Sequence, residues 1–181
     1  MNIENIEKYA KVKGLNLLGT GDFTHPLWFD ELKRSLIESN GLFHFKDKNI
    51  FFILQAEVSS IYNQDGKTRK IHNIILSPSF EVVEQINDFL KSYGKLASDG
   101  RPILTNIDCP ELVENLINIS KDIMIIPAHA WTPWFGILGS KSGFDSVEEC
   151  FKDQTKYIFA LETGLSSDPL MNWRLSALDR F

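Results

Sequence analysis

Apolar residues fall at helical spacing from the start of the chain. Ile3, Ile6, Tyr9, Ala10 and Val12 share one face of a helix predicted over residues 3–13, and Gly14 stops it. Residues 15–18 are a short unbroken apolar run, the pattern of a strand buried on both faces, opening into Gly19-Thr20-Gly21-Asp22. Pro26 suits the first turn of a second helix, whose stripe of Phe29, Leu32, Leu36 and Ile37 ends near Asn40-Gly41. From Leu42 the period shortens. Phe43, Phe45 and residues 50–58 read as strands around the turn Asp47-Lys48-Asn49, and residues 70–76 return after the turn Gln64-Asp65-Gly66-Lys67.

Helical spacing resumes over residues 80–93 through Val82, Val83, Ile86, Phe89 and Leu90. Residues 97–105 carry Asp99-Gly100-Arg101-Pro102 and read as loop, and Pro110 opens a helix bearing Leu112, Val113, Leu116 and Ile117. Residues 123–126 form a buried strand ending at Pro127-Ala128-His129. A loop rich in Trp, Gly and Ser follows, then a helix over 146–152, a short strand over 157–161 ending at Glu162, and a last helix over 169–181. No repeat or linker interrupts the pattern, so residues 1–181 read as one domain. The alternation of strand and helix predicts an α/β fold with parallel strands and an inserted β-hairpin.

Composition narrows the class. Hydrophobic residues at 43% and charged residues at 24% are ordinary for a soluble domain. No apolar run approaches the roughly 20 residues of a membrane span, and no signal-peptide pattern opens the chain. Cys109 and Cys150 stand far apart with no zinc or disulfide spacing, so a reducing cytoplasm is expected. The net charge of -5 argues against a protein that grips a duplex by a basic surface alone. Its ligand is then small, or bound cations or another domain supply the positive charge.

The chemistry collects at the ends of the apolar runs. Residues 15–18 lead to Asp22, 51–54 to Glu57, 123–126 to His129 and 158–161 to Glu162. Carboxyl ends of parallel strands face active sites, and a mixed Asp, Glu and His set suits Zn, Mn or Fe bound for hydrolysis. Each residue also has a plainer use. Asp22 serves equally as a helix cap, Glu57 as an exposed strand residue, and His129 as a hydrogen-bonded core histidine. A cross-strand role competes with ligation for His72, and His44, between Phe43 and Phe45, reads as solvent-facing.

The wording of the loops is more specific than their spacing. Gly19-Thr20-Gly21-Asp22 with His25-Pro26-Leu27-Trp28, and Ala56-Glu57-Val58 with Lys70-Ile71-His72-Asn73, resemble metal motifs of the PHP phosphoesterases. Pro127-Ala128-His129-Ala130-Trp131-Thr132-Pro133-Trp134 and Glu162-Thr163-Gly164-Leu165-Ser166-Ser167-Asp168-Pro169 resemble the endonuclease Q branch in particular, and the likeness runs from about Tyr9 to Arg180. The resemblance implies a distorted (β/α)7 barrel and divalent metal ions (Zn, Mn or Mg). It also implies DNA cleavage on the 5′ side of deaminated bases (uracil, hypoxanthine) and abasic sites. Asp22, Glu57 and His129 would be the ligands and catalytic groups, with His72 a further ligand or a neighbour of one. Glu162 would lie beside the site. Trp131, Trp134 and Phe135 either stack on an extruded base or plug the barrel rim, and Arg101 either meets a phosphate or is solvated.

Two motifs of that family do not occur here. The sequence holds no His-x-His and no Ser-Asp-x-His, so the chain reads as an incomplete barrel and a fragment of a partial PHP-like domain with an incomplete metal site. Open barrel edges are then expected to promote self-association or to be covered by a partner. Two rivals stay open: an inactive remnant acting as a scaffold or binding module, and a phosphoesterase of small molecules.

Overall fold

The computed structural model describes residues 2–98, 100–164 and 167–181, so Asp99, Leu165 and Ser166 of the quoted motifs lie outside the described residues. Local rules set most of the element ends. α1 (Ile3–Lys13) starts at Asn2, whose side chain accepts from the Asn5 N–H, and stops at Gly14 in the left-handed region at φ 68°. β1 (Leu17–Gly19) leads to α2 (Pro26–Ser35), with Pro26 in its first turn. β2 (Ile37–Ser39) and β3 (Leu42–His44) come next, then β4 (Phe51–Gln64) and β5 (Lys67–Ser77). α3 (Phe80–Leu90), β6 (Ile103–Thr105), α4 (Cys109–Ile119) and β7 (Met124–Pro127) follow. The chain closes with α5 (Val147–Phe151), a 3-10 segment (Lys152–Tyr157), α6 (Pro169–Asn172) and a 3-10 turn (Ser176–Leu178).

The β4–β5 hairpin is the axis of the fold. It pairs antiparallel from Leu54↔Ser77 to Gln64↔Lys67, and every other strand except β2 pairs with one of its two arms. β1 and β6 run parallel to β4, while β3 is antiparallel to β4 and β7 is antiparallel to β5. The result is an open, mixed seven-stranded sheet dominated by antiparallel pairing, rather than the parallel set expected with the hairpin as an insert. Alternation along β4 puts Phe52, Leu54, Ala56 and Val58 into the core and turns Gln55 and Glu57 to the other face; β5 does the same with Ile71 and Ile75 against Lys70 and His72. α3 and α4 cover the core side with Val83, Ile86, Leu90, Leu112, Val113 and Leu116, all fully buried.

Several expectations fail for identifiable reasons. The second helix stops at Ser35, and Ile37–Ser39 turns back as a strand because Asn40-Gly41, at φ 52° and 78°, forms a hairpin turn instead of ending a helix. Residues 15–18 are not buried on both faces: Leu15 and Leu17 are 44% and 55% exposed, since β1 pairs only with β4 among the described residues. The loop expected at 97–105 contains β6, and the strand expected at 157–161 is a single bridge, Ile125↔Ile158. The last helix is broken into α6 and a 3-10 turn. His44 is buried, not solvent-facing, and its Nδ1 has no hydrogen-bond partner. No helix among the described residues is long and apolar enough to cross a membrane.

Because β1, β3, β5 and β6 all pair with β4, its buried residues carry the fold. Phe52→Ala is expected to destabilise the chain by about 3–5 kcal/mol, whereas Leu27→Ala, at a position 75% exposed, should change stability by less than about 0.5 kcal/mol. Chemical denaturation of the two variants checks the contrast.

Candidate metal and nucleic-acid site

Glu57, His72 and His129 converge on the solvent side of the hairpin, each offering a ligand atom within 4.8 Å of the others. Register explains the meeting. Glu57 lies opposite Ile74 and Ser59 opposite His72, so Glu57 and His72 are diagonal neighbours on one face. β7 pairs with the other side of β5, and the Ala128 N–H donates to the His72 carbonyl, which delivers His129 to the same place. Glu57 therefore sits in the middle of β4, not at a strand end as its apolar run implied.

His129 is held firmly. Its backbone is left-handed at φ 33°, and its N–H donates to Glu162 Oε2 at 2.6 Å. The Glu162 backbone completes the clasp, its N–H donating to the Pro127 carbonyl and its carbonyl accepting from the Ala130 N–H. Charge-assisted bonds of this kind are worth about 1.5–3 kcal/mol, enough to hold an unfavourable backbone. Glu162, expected beside the site, is engaged in positioning His129.

The imidazole tautomer follows from the neighbours. The Thr132 hydroxyl lies 2.9 Å from the Trp134 carbonyl and 3.1 Å from the His129 carbonyl, and its proton goes to one of them. Thr132 Oγ1 then accepts from His129 Nδ1–H at 2.7 Å, leaving the lone pair of Nε2 aimed at Glu57 and His72. His72 Nδ1 stands 2.9 Å from that Nε2, and its ring stacks on Phe135 at 4.3 Å. Two lone pairs at 2.9 Å repel, so a proton on His72 or a shared cation must lie between them.

Glu57 Oε1 is the focus. Arg101 Nε lies 2.6 Å from it, His72 Nδ1 3.2 Å and His129 Nε2 3.4 Å, yet this buried oxygen has no properly aligned hydrogen bond. Burial alone would raise its pKa, but His72 and Arg101 outweigh burial and hold the carboxyl at about 2. Burial pushes the His72 imidazole below its ordinary value, only partly offset by Glu57. A carboxylate and an imidazole both kept in their ligating forms, around an oxygen with no aligned partner, fit a divalent cation.

The other expected residues separate into groups. Asp22 is not in the cluster. It follows Gly21 at a left-handed turn braced by the Trp28 indole N–H on the Gly21 carbonyl, and it lines a cavity of about 250 Å³ with His25, Trp28, Glu31 and Gly100. Nor does its side chain cap α2, whose N-cap is His25. Arg101 pairs with Glu57. Trp131 is half-buried with its indole N–H on Asn172 Oδ1, while Trp134 is 53% exposed. Thr132 was missed as a site residue. Only the position of Thr132, three residues after His129, hinted at its part.

Both shifted groups give stability the same pH sign. The Glu57 carboxyl, lowered from 4.5 to about 2, adds stability above pH 4.5 that is lost as pH falls through 2. His72, lowered from 6.5, takes up protons more readily unfolded, so stability also falls once pH drops below 6.5. In thermal melts against pH, His72→Asn is expected to flatten the decline just below pH 6.5, and Glu57→Gln the decline below 4.5. Unchanged profiles would contradict the geometry.

No protein-family model matches the chain. An uncharacterized protein of Methanocaldococcus jannaschii is 39% identical over 136 residues, which span 74% of this chain and 14% of that protein. Among solved structures, the lesion-specific endonuclease PfuEndoQ from Pyrococcus furiosus is 34% identical with a TM-score of 0.76, over 93% of this chain and 38% of that one. Endonuclease Q in complex with a 27-mer duplex substrate carrying an abasic lesion at the active site is 34% identical with a TM-score of 0.81, over 98% of this chain and 41% of that one. The chain spans less than half the length of each relative, and across that span its fold is like that of endonuclease Q.

Proposed function

We propose that this chain is the metal-binding part of a DNA repair endonuclease of the endonuclease Q type, cutting on the 5′ side of uracil, hypoxanthine and abasic sites. The observation that carries the reading is the convergence of Glu57, His72 and His129 in a fold shared with an endonuclease bound to abasic DNA. On this reading residues 1–181 are a partial PHP-like domain, and the open sheet is part of a distorted (β/α)7 barrel. Tyr9, Val12, Leu15 and Leu17, exposed along α1, β1 and the turn between them, support an edge that a partner or second copy covers.

Glu57 Oε1, His72 Nδ1 and His129 Nε2 would hold the cation, Zn, Mn or Mg. When bound, it supplies positive charge to the phosphoryl oxygens and makes a water molecule more acidic. The protein's own part is positioning. Thr132 keeps the His129 Nε2 lone pair inward, Glu162 fixes the backbone beneath it, and Phe135 sets the His72 ring. Arg101, 48% exposed in its side chain, neutralises Glu57 and stands where it can meet a phosphate. A local cation and Arg101 also answer the acidic balance of the whole chain.

The rival reading, a non-catalytic module that binds DNA through the same cluster, draws on the placement of Asp22 outside it. Binding and cleavage of labelled duplexes with uracil, hypoxanthine, an abasic analogue or no lesion, in Mn²⁺ or after chelation, test both. Tighter Mn²⁺-dependent binding to lesions, lost in Glu57→Gln and His129→Ala, is expected, with nicking 5′ to the lesion separating the enzyme from the module. Equal binding to all duplexes would sink the DNA reading.

A further inference from the structure

The loop after His129 is wound tightly. A Cβ on Gly136 would lie 2.6 Å from the Thr132 carbonyl oxygen and 2.7 Å from that of Ala130, and one on Gly143 would lie 2.6 Å from the Gly136 oxygen. Backbone N–H groups of Leu138, Lys141 and Phe144 donate to the carbonyls of Ala130, Pro133 and Ile137 at 2.9, 2.9 and 2.7 Å. Phe135 is bonded to β5 on one side, its carbonyl accepting from the His72 N–H, and its N–H donates to Ser142 Oγ. A rigid loop has no packing need for an exposed indole. Yet Trp134 is 53% exposed, with the Lys70 ammonium over its ring at 5.1 Å.

Lys70 lies two residues before His72 on the same face of β5, and makes no ion pair among the described residues. Trp131 differs in each respect: its indole N–H is taken by Asn172, and its ring lines a cavity with Leu138 and Phe144. The pair Trp134 and Lys70 therefore presents an aromatic face and a cation beside the Glu57 cluster, connected to it through the stacking of Phe135 on His72.

We propose that the Trp134 indole stacks on the nucleobase bordering the lesion, in the space that a missing or extruded base leaves, while Lys70 pairs with the adjoining phosphate. Stacking of an aromatic side chain tolerates any base, and a lysine on a phosphate contributes affinity independent of sequence. This assignment rests on the DNA reading above and separates the two tryptophans that the sequence treated alike.

The test is fluorescence anisotropy with a labelled duplex holding a central tetrahydrofuran abasic analogue, against an intact duplex, in Mn²⁺ at several salt concentrations. Trp134→Ala is expected to weaken lesion binding about tenfold while sparing the intact duplex, and Trp134→Phe to restore most of it. Lys70→Ala should weaken both and reduce the log–log salt slope by about 1. Trp173→Ala, at a site 76% exposed outside this loop, should change nothing. If Trp134→Ala discriminates as well as the unaltered chain, the stacking assignment is overturned while the DNA reading stands. If the unaltered chain itself shows no preference, both fall.

Discussion

Glu57 Oε1 is a buried carboxylate oxygen with nitrogens at 2.6, 3.2 and 3.4 Å and no aligned hydrogen bond. Burying such a charge is costly unless it is matched, so the surrounding structure is arranged to match it. Arg101 brings a positive charge from a loop, His72 comes from the next strand, and His129 arrives from the end of β7. The long β4–β5 hairpin makes this possible, because it fixes two of the three side chains by register and docks the strand that delivers the third.

Rigidity extends outward from that point. Glu162 and Thr132 hold His129 in one backbone and ring orientation, and the glycine-packed loop beyond it holds Phe135 against His72. Ligand geometry tolerates little error, so a cluster drawn from three segments requires such supports. The aromatic and cationic groups at the rim then stand in fixed relation to the cluster. The proposed reading draws on that arrangement: one place for charge, one aromatic face, and little freedom between them.

Part of this was legible in the sequence. Helix positions followed from Asn2, Gly14, Pro26 and the apolar stripes, because caps and periodicity are local. Glu57, His72 and His129 were singled out by loop wording, and the structure brings them together. What failed was non-local or doubly encoded. Asn40-Gly41 ends a helix or turns a hairpin with equal local sense, and only pairing with Leu42–His44 decides. β6 is three residues long and exists because β4 offers it an edge. Asp22 shared the look of a strand-end ligand, but the turn braced by Trp28 places it in a separate cavity. The tasks of Glu162 and Thr132 depend on backbone atoms, which sequence pattern does not display.

The most direct test of the central claim is a crystal structure of the chain soaked in Zn²⁺, with data collected on either side of the zinc absorption edge. An anomalous peak bounded by Glu57 Oε1, His72 Nδ1 and His129 Nε2, at ordinary zinc–ligand distances, is the expected result. Full zinc occupancy elsewhere, with these three side chains pointing apart, would contradict it.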